Sequence, residues 1–428
     1  MKEFFRYLIA SVLAFLSRAI LRKYKPTIVM VTGSVGKTST KDAVAAALKE
    51  RYYLRASEKS YNSEFGVPFT IIGVENPWIN VGNWLGVFEE ALALIFFKSH
   101  YPKLLVLEVG ADRPGDLARI LKIATPDAVI VTRLPEVPVH VEAYASPGDV
   151  RKEEFAPAYA LPPEAPLIVS ADDSFAEALA KPLPATVTTY GTSPKADIRF
   201  EEVQVYMEEG RPAGMQAQIF VGNDKHMLIV RGVLGRQQLY APAAALALAL
   251  SLGMSAKDAL KGLASYVPPS GRARILGGKK GVILIDDSYN ASPAATEEIL
   301  RSLALVCDTP RCVAVLGDML ELGRYSMDEH ERIGKIAAET ADVIVGVGFR
   351  ARSLAEAARG AGKTEESVFH FDDSHAAAAA LPDIIEPGDI VLIKGSQSVR
   401  TERITEALLH DEKDVEHLVR QDLEWKKR

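Results

Sequence analysis

The string Thr32-Gly33-Ser34-Val35-Gly36-Lys37-Thr38-Ser39-Thr40 constrains this chain more than any other stretch of it. It ends a short β-branched and apolar run, TIVMVT at residues 27–32, and leads into an alanine-rich helical stretch over residues 38–50. The two glycines let the backbone curl until its N–H groups face one anion, and the helix N-terminus adds a favourable dipole. Lys37 supplies a point charge for β- and γ-phosphates, and the Thr38 hydroxyl suits Mg²⁺. Gly33, Ser34, Val35, Gly36, Lys37, Thr38 and Ser39 therefore form a candidate nucleotide cradle. Its spacing is not the common Walker one. Two residues, not four, separate the first glycine from Gly36-Lys37, and Val31 stands where the earlier glycine would sit.

Other runs predict parallel layering around that loop. LLVLEV at 104–109 and AVIVT at 128–132 are continuous rather than alternating, as parallel strands covered on both faces are. Between 186 and 235 the texture changes to hairpin-like segments, ADIRFEEVQVYM and GMQAQIFVGNDKHMLIV. Helices are expected at 242–251 and 256–265, and Pro268-Pro269 then ends the second of them. After this break GVILID, VAVLGD, DVIVGVG and IVLIKG restart the strand–helix alternation. The fold class is thus α/β: a P-loop central domain with a parallel sheet over 27–267 and a C-terminal Rossmann-like domain over 268–428. A hydrophobic N-terminal helix occupies 1–26.

Composition narrows the function classes. A chain of 428 residues that is 48% apolar and 25% charged has the size for two or three domains and is neither disordered nor fibrous. Its net charge of −6 speaks against a nucleic-acid partner. Cys307 and Cys312, without a second pair, exclude a disulfide framework and a cysteine zinc site and suit a reducing compartment.

Residues 4–21 (FFRYLIASVLAFLSRAIL) are mostly apolar, but Arg6 and Arg18 bracket only eleven uncharged residues, against the ~20 that a membrane span needs. No small-residue cleavage site with a spacer follows, which argues against a signal peptide. The segment is read first as a helix packed on the protein body and second as an interfacial membrane helix. Arg18, Arg22, Lys23 and Lys25 would suit an anionic surface in the second reading. WLGVFEEALALIFF at 84–97 is a strongly apolar helix, expected as core or packing surface ahead of membrane contact.

A magnesium ion held by one hydroxyl wants further oxygen ligands, usually including a carboxylate. Glu108 ends the strand LLVLE, where a parallel sheet delivers ligands to its crevice. His140 follows AVIVT after a proline-punctuated loop. It gains interest because Lys152, Glu153 and Glu154 come twelve to fourteen residues later.

Taken in order, TGSVGKTST, LEVGAD, the segment from His140 to Lys152, DDSYNASP, LGDMLELG and IKGSQS resemble the Mur ligases, ATP-dependent amide-forming enzymes of cell-wall synthesis. The likeness covers about residues 27–409. It is strongest to the branch that adds D-alanyl-D-alanine to UDP-N-acetylmuramoyl-tripeptide, whose asparagine-containing segment Tyr61-Asn62-Ser63-Glu64-Phe65-Gly66-Val67-Pro68 resembles. The resemblance implies ATP and Mg²⁺, with Lys37, Glu108, His140 and Lys152 as catalytic residues and Thr38, Glu108 and His140 holding the ion. Lys152 matches the lysine that the family carbamylates to hold a second Mg²⁺. Arg272, Asp287, Tyr289 and Asn290 would bind nucleotide, and Asn62, Lys394 and Ser396 would line the substrate cleft.

The implied partners are a muropeptide carboxylate and an amine donor, D-Ala-D-Ala favoured, in the cytoplasm or at the inner face of the plasma membrane. An acyl phosphate would form first, and the amine would then displace phosphate. Three departures stand against the pattern. The hundred-residue domain that grips UDP ahead of the loop has only the N-terminal helix in its place. Gly235-Arg236-Gln237-Gln238-Leu239-Tyr240-Ala241 replaces Gly-x-His-Asn and a later Asn near adenine, and Asp112-Arg113-Pro114-Gly115 replaces an Asn/Ser-His pair. These departures leave open a Mur-like ligase acting on a lipid-linked or non-murein acceptor with another amine.

Overall fold

The computed structural model describes residues 2–57, 61–77, 81–307, 310–422 and 425. Nine strands form the first sheet: β1 (Thr27–Thr32), β2 (Leu54–Ala56), β3 (Leu104–Glu108), β4 (Ala128–Val131), β5 (Pro166–Ser170), β6 (Thr186–Gly191), β7 (Ile198–Glu208), β8 (Arg211–Val221) and β9 (Asp224–Arg231). They lie in the order β2-β3-β1-β4-β5-β6-β7-β8-β9. Pairing is parallel from β2 to β7, and only β7-β8-β9 is an antiparallel meander. The hairpin texture expected from residue 186 therefore starts later: β6 joins the parallel set, because its partner β5 is itself a buried parallel strand.

Alternation along β1 explains the layering. Val29 and Val31 face the helix Lys37–Leu48 and the alanine-rich helix Tyr240–Ser251, buried from Ala241 to Ala249, while Ile28 and Met30 belong to the opposite core. That second core is closed by the N-terminal helix Lys2–Tyr24, which packs through Leu13, Leu16 and Ile20 on the helices Gly66–Ile72 and Val81–Phe96. The first reading of the N-terminal segment thus holds, and no helix among the described residues is long and apolar enough to cross a membrane. Helix Val81–Phe96 buries Val87, Ala91 and Leu94 and leaves Leu85, Leu92 and Phe96 exposed.

The second sheet contains β10 (Arg274–Gly277), β11 (Ile283–Asp287), β12 (Cys312–Gly317), β13 (Val343–Val347), β14 (Val368–Phe371) and β15 (Ile390–Lys394), in the order β10-β11-β15-β12-β13-β14. All pairs are parallel except β10 with β11. The link from the first sheet is short: Val233 bridges Arg274, and the Leu234 amide donates to the Ala273 carbonyl at 2.9 Å. One sequence expectation is corrected here. Cys307 and Cys312 are joined in a disulfide, because the chain between the helix end and β12 returns their Cα atoms to 5.9 Å, within bonding reach.

Candidate active site

The loop after β1 curls as its glycines require. Gly33 sits at φ +115°, and any side chain there would run into the Thr132 hydroxyl; Gly36, at φ +90°, caps the helix Lys37–Leu48. The Ser34 amide donates to the Arg133 carbonyl at 2.9 Å, which ties the loop to the end of β4. Beneath it lies Glu154, whose carboxylate accepts from the Ser34 hydroxyl at 2.5 Å and whose carbonyl accepts from Thr32 at 2.6 Å. Lys37 folds back on the loop, its Nζ donating to the Gly33 carbonyl at 2.5 Å and to that of Ser34 at 3.4 Å.

Glu108 is 1% exposed at the end of β3. Burial pushes its carboxyl up, against the opposing pull of Lys37, Lys41, a hydrogen bond from Thr38 and, last, Arg272. Its Oε2 is buried with no hydrogen-bond partner among the described residues. An orphaned carboxylate oxygen beside the Thr38 hydroxyl is the donor set that a hard, oxygen-seeking cation takes, so these residues fit Mg²⁺.

His140 stands at φ +64°, with Nδ1 2.9 Å from Glu321 Oε2 and Nε2 3.5 Å from Asp112 Oδ1. Burial alone would lower the imidazole's pKa, but the hydrogen bond and charge of Glu321, then the charge of Asp112, carry it above its ordinary value. Lys152 is exposed on the helix Pro147–Glu154 and makes no hydrogen bond or ion pair among the described residues. Thus Lys37, Thr38 and Glu108 come together at the loop, His140 feels the charge of Lys37, and Lys152 stays outside the hydrogen-bonded network. No group of three or more His, Cys, Asp or Glu placed to hold a metal occurs among the described residues. Asn62 lies on the far side of Lys37. Its carbonyl accepts from Gly110 at 3.1 Å, and its amide and the Lys37 stem both border the space above that glycine.

A cleft of about 700 Å³ opens between the loop and the C-terminal half, bordered by Ser34, Arg272, Asp287, Asn290 and Lys394 among others. The Arg272 guanidinium lies 4.1 Å from the Tyr289 ring centre, a cation–π distance. Lys394, expected with the substrate, is buried and pairs with Asp287 at 2.6 Å while donating to the Asn290 carbonyl at 3.0 Å. It therefore borders this cleft. Ser396 is buried too, accepting from the Leu320 amide at 2.9 Å, and is not part of the cleft wall. At the other end Tyr240 donates to Asp172 at 2.8 Å, Gln238 to the Arg272 carbonyl at 3.1 Å, and the Ser302 hydroxyl to Gln237 at 3.3 Å.

Sequence reasoning passed over several of these groups. Lys41 is wholly buried and touches the Ser57 carbonyl and Asp42. Its signal was a lysine one turn after Lys37 on an otherwise small-residue helix. Glu154 was visible only as a neighbour of Lys152, Glu321 only as a member of the string LGDMLELG, and Asp172 gave no local signal.

The matches to known proteins first mark a class, ligases built of two α/β halves. The chain belongs to the Mur ligase family: residues 31–249 match the Mur ligase middle domain and residues 271–397 the Mur ligase glutamate ligase domain. It is 29% identical over 405 residues to the UDP-N-acetylmuramoyl-tripeptide–D-alanyl-D-alanine ligase of Mycobacterium bovis, across 90% of this chain and 73% of that one. The corresponding ligase of Bacillus subtilis is 25% identical, with 92% and 78% covered. Among solved structures, the MurF ligase of Thermotoga maritima in complex with ADP superposes with a TM-score of 0.76 at 26% identity, covering 95% of this chain and 84% of that one.

Proposed function

We propose that this protein is an ATP-dependent amide ligase of cell-wall precursor synthesis that joins D-alanyl-D-alanine to the carboxylate of a muramoyl peptide. The observation that carries the reading is the buried Glu108, with its unpartnered oxygen, beside Thr38 and Lys37 and next to a loop whose Ser34 and Gly36 line a cleft that two α/β halves share. We take the halves as residues 27–267 and 268–428. Thr38 and Glu108 would hold Mg²⁺, with His140 near it and Lys152, once carbamylated, serving a second ion; bound there, magnesium would neutralise charge on the transferring phosphoryl group.

The chain's own groups do the rest. Lys37 exchanges two loop carbonyls for phosphate oxygens. Arg272, Asp287, Tyr289 and Asn290 border the nucleotide, and Asn62 orients the acceptor carboxylate beside Lys37. The C-terminal half, with Lys394 and Ser396, shuts water away from the activated acid. Catalysis of this kind needs positioning more than a protein nucleophile. Lys152 carbamylation would make activity depend on bicarbonate and would give a ¹³C carbamate signal that Lys152→Ala lacks.

The site of action is the cytoplasm, with a peripheral contact to the membrane through the N-terminal helix. A second reading, a lipid-linked acceptor, is favoured by the exposed apolar residues of helices Lys2–Tyr24 and Val81–Phe96. The experiment is a matrix of nucleotide- and lipid-linked muropeptides against D-Ala-D-Ala, single amino acids and ammonia, read as ADP release. Release that needs both an acid and an amine supports the ligase. Release that ignores either one overturns it.

A further inference from the structure

Each of the two packed helices that close the second core presents an apolar outer face. On helix Lys2–Tyr24 the exposed residues Tyr7, Leu8, Val12 and Phe15 recur at helical spacing, and on helix Val81–Phe96 Leu85, Leu92 and Phe96 do the same, with Phe97 just beyond. Phe15 is 64% exposed, Leu85 67%, Phe96 75% and Phe97 70%. Aromatic and aliphatic groups this large, repeated along two packed helices, exceed the scattered apolar exposure of an ordinary surface.

The two helices are also fixed to one another. Lys23 Nζ donates to the Leu94 carbonyl at 2.7 Å and to that of Ile95 at 3.1 Å, and the Tyr24 hydroxyl donates to Leu94 at 2.9 Å. The face is therefore a rigid pair of ridges. Exposed cations surround it: Arg6 at one end, and Arg22, Lys25 and Lys98 at the other. Among the described side chains of the two helices they outnumber the carboxylates, Glu89 and Glu90.

We infer that this face docks the enzyme on an anionic bilayer, both helices lying in the plane of the interface. Apolar side chains that enter the headgroup boundary, flanked by basic groups, are what holds an interfacial helix pair on such a surface. No helix of the described chain is long enough to span, so the contact is peripheral. The placement also serves the reaction proposed above, on which this part of the inference rests. The Arg6 guanidinium lies 5.4 Å from the Phe65 ring centre and the Trp84 ring 5.9 Å from that of Phe69. Phe65 lies in the segment that carries Asn62 and Phe69 just after it, so the docked face lies next to that segment and would bring the proposed acceptor side to substrates held at a membrane.

The test is flotation of the full chain with vesicles of phosphatidylglycerol and phosphatidylcholine, against phosphatidylcholine alone. The parent should float with the anionic vesicles, and less so as salt rises. Phe15→Glu with Phe96→Glu should weaken binding at least tenfold, while ADP release on soluble substrates and the melting temperature stay unchanged. Arg22→Glu with Lys98→Glu should abolish the preference for anionic lipid. A parent that stays at the bottom of the gradient with both vesicles at low salt overturns the inference. So does a dimer in light scattering that the Phe15/Phe96 variant dissociates, since a second copy would then cover the face. Flotation without ligation of any muropeptide would leave the surface standing and remove the proposed reaction. Ligation without flotation would do the reverse.

Discussion

Glu402 offers the sharpest energetic test of how the C-terminal half shapes the cleft. It is 1% exposed and accepts from Arg400 Nε at 2.5 Å and from Arg420 Nη2 at 2.6 Å, two guanidinium groups that are themselves nearly buried. Burial pushes its carboxyl up, yet the bonds and charges of Arg420 and Arg400 outweigh this and hold it below the usual range. Glu402→Ala leaves two buried cations facing each other, which costs about 3–5 kcal/mol. For a cooperative unit of this half's size, each kcal/mol shifts melting by about 2–4 °C, so its transition should fall by roughly 6–20 °C.

The same network reaches Arg272 at the border of the cleft. Arg420 also donates to the carbonyls of Ser288, at 2.5 Å, and Tyr289, at 3.1 Å, and Tyr289 is the ring under Arg272. Glu402→Gln, which keeps the shape and one acceptor, should therefore melt between parent and Glu402→Ala and raise the KM for ATP more than it lowers kcat. Calorimetry of the whole chain and ATP titrations measure both. Melting within 2 °C of the parent for Glu402→Ala, together with an unchanged KM, would refute the reasoning.

Further outcomes are expected. Lys37→Ala should lower ATP-dependent ligation by at least about 10²–10³-fold with the circular dichroism melt unchanged; near-normal turnover would contradict the assignment of the loop. Glu108→Gln removes a buried charge whose Oε2 is unpartnered, so it should raise stability by about 1–3 kcal/mol while ligation collapses. A thermal melt that falls instead would show that the carboxylate is structural. Burial pushes the Asp286 carboxyl up to about 6, only partly offset by hydroxyl donors such as Thr405. The folded state keeps that proton where the unfolded chain has lost it, so the associated stability is complete at low pH and disappears as pH rises to about 6. Asp286→Asn should thus equal the parent near pH 4 and exceed it above pH 6, by roughly 3 kcal/mol at most, in urea unfolding at the two pH values.

How much of this was legible in the sequence follows from how local each requirement is. The cradle was readable because a phosphate loop needs its glycines, lysine and hydroxyl within one turn of chain. Glu108 was readable because a continuous apolar run fixes a buried parallel strand, and a carboxylate at its end has one place to go. The pairing of Glu321 was not, although LGDMLELG carries the residue, since it meets His140 only when the second half folds over the first. The pairing of Lys394 was not legible for a related reason: its partner Asp287 lies on the neighbouring strand β11, and strand order is not written in spacing. The disulfide was missed because two cysteines five residues apart carry no pattern until the helix end and β12 set their distance.

The site's electrostatics account for the loop's present shape. Two buried carboxylates, Glu108 and Glu154, lie on either side of the loop, and burial raises both while Lys37 opposes it in both. The Lys37 amine donates to the neutral carbonyls of Gly33 and Ser34. A triphosphate would offer the same amine charged oxygens, whose bonds are about twice as strong as neutral ones. The negative charge it brings next to Glu108 is tolerable only if cations arrive with it, and the orphaned Oε2 is where one would be held. Nucleotide and metal should therefore bind cooperatively, each reducing a repulsion that the other meets alone. Glu108→Gln should abolish that coupling even where ADP still binds.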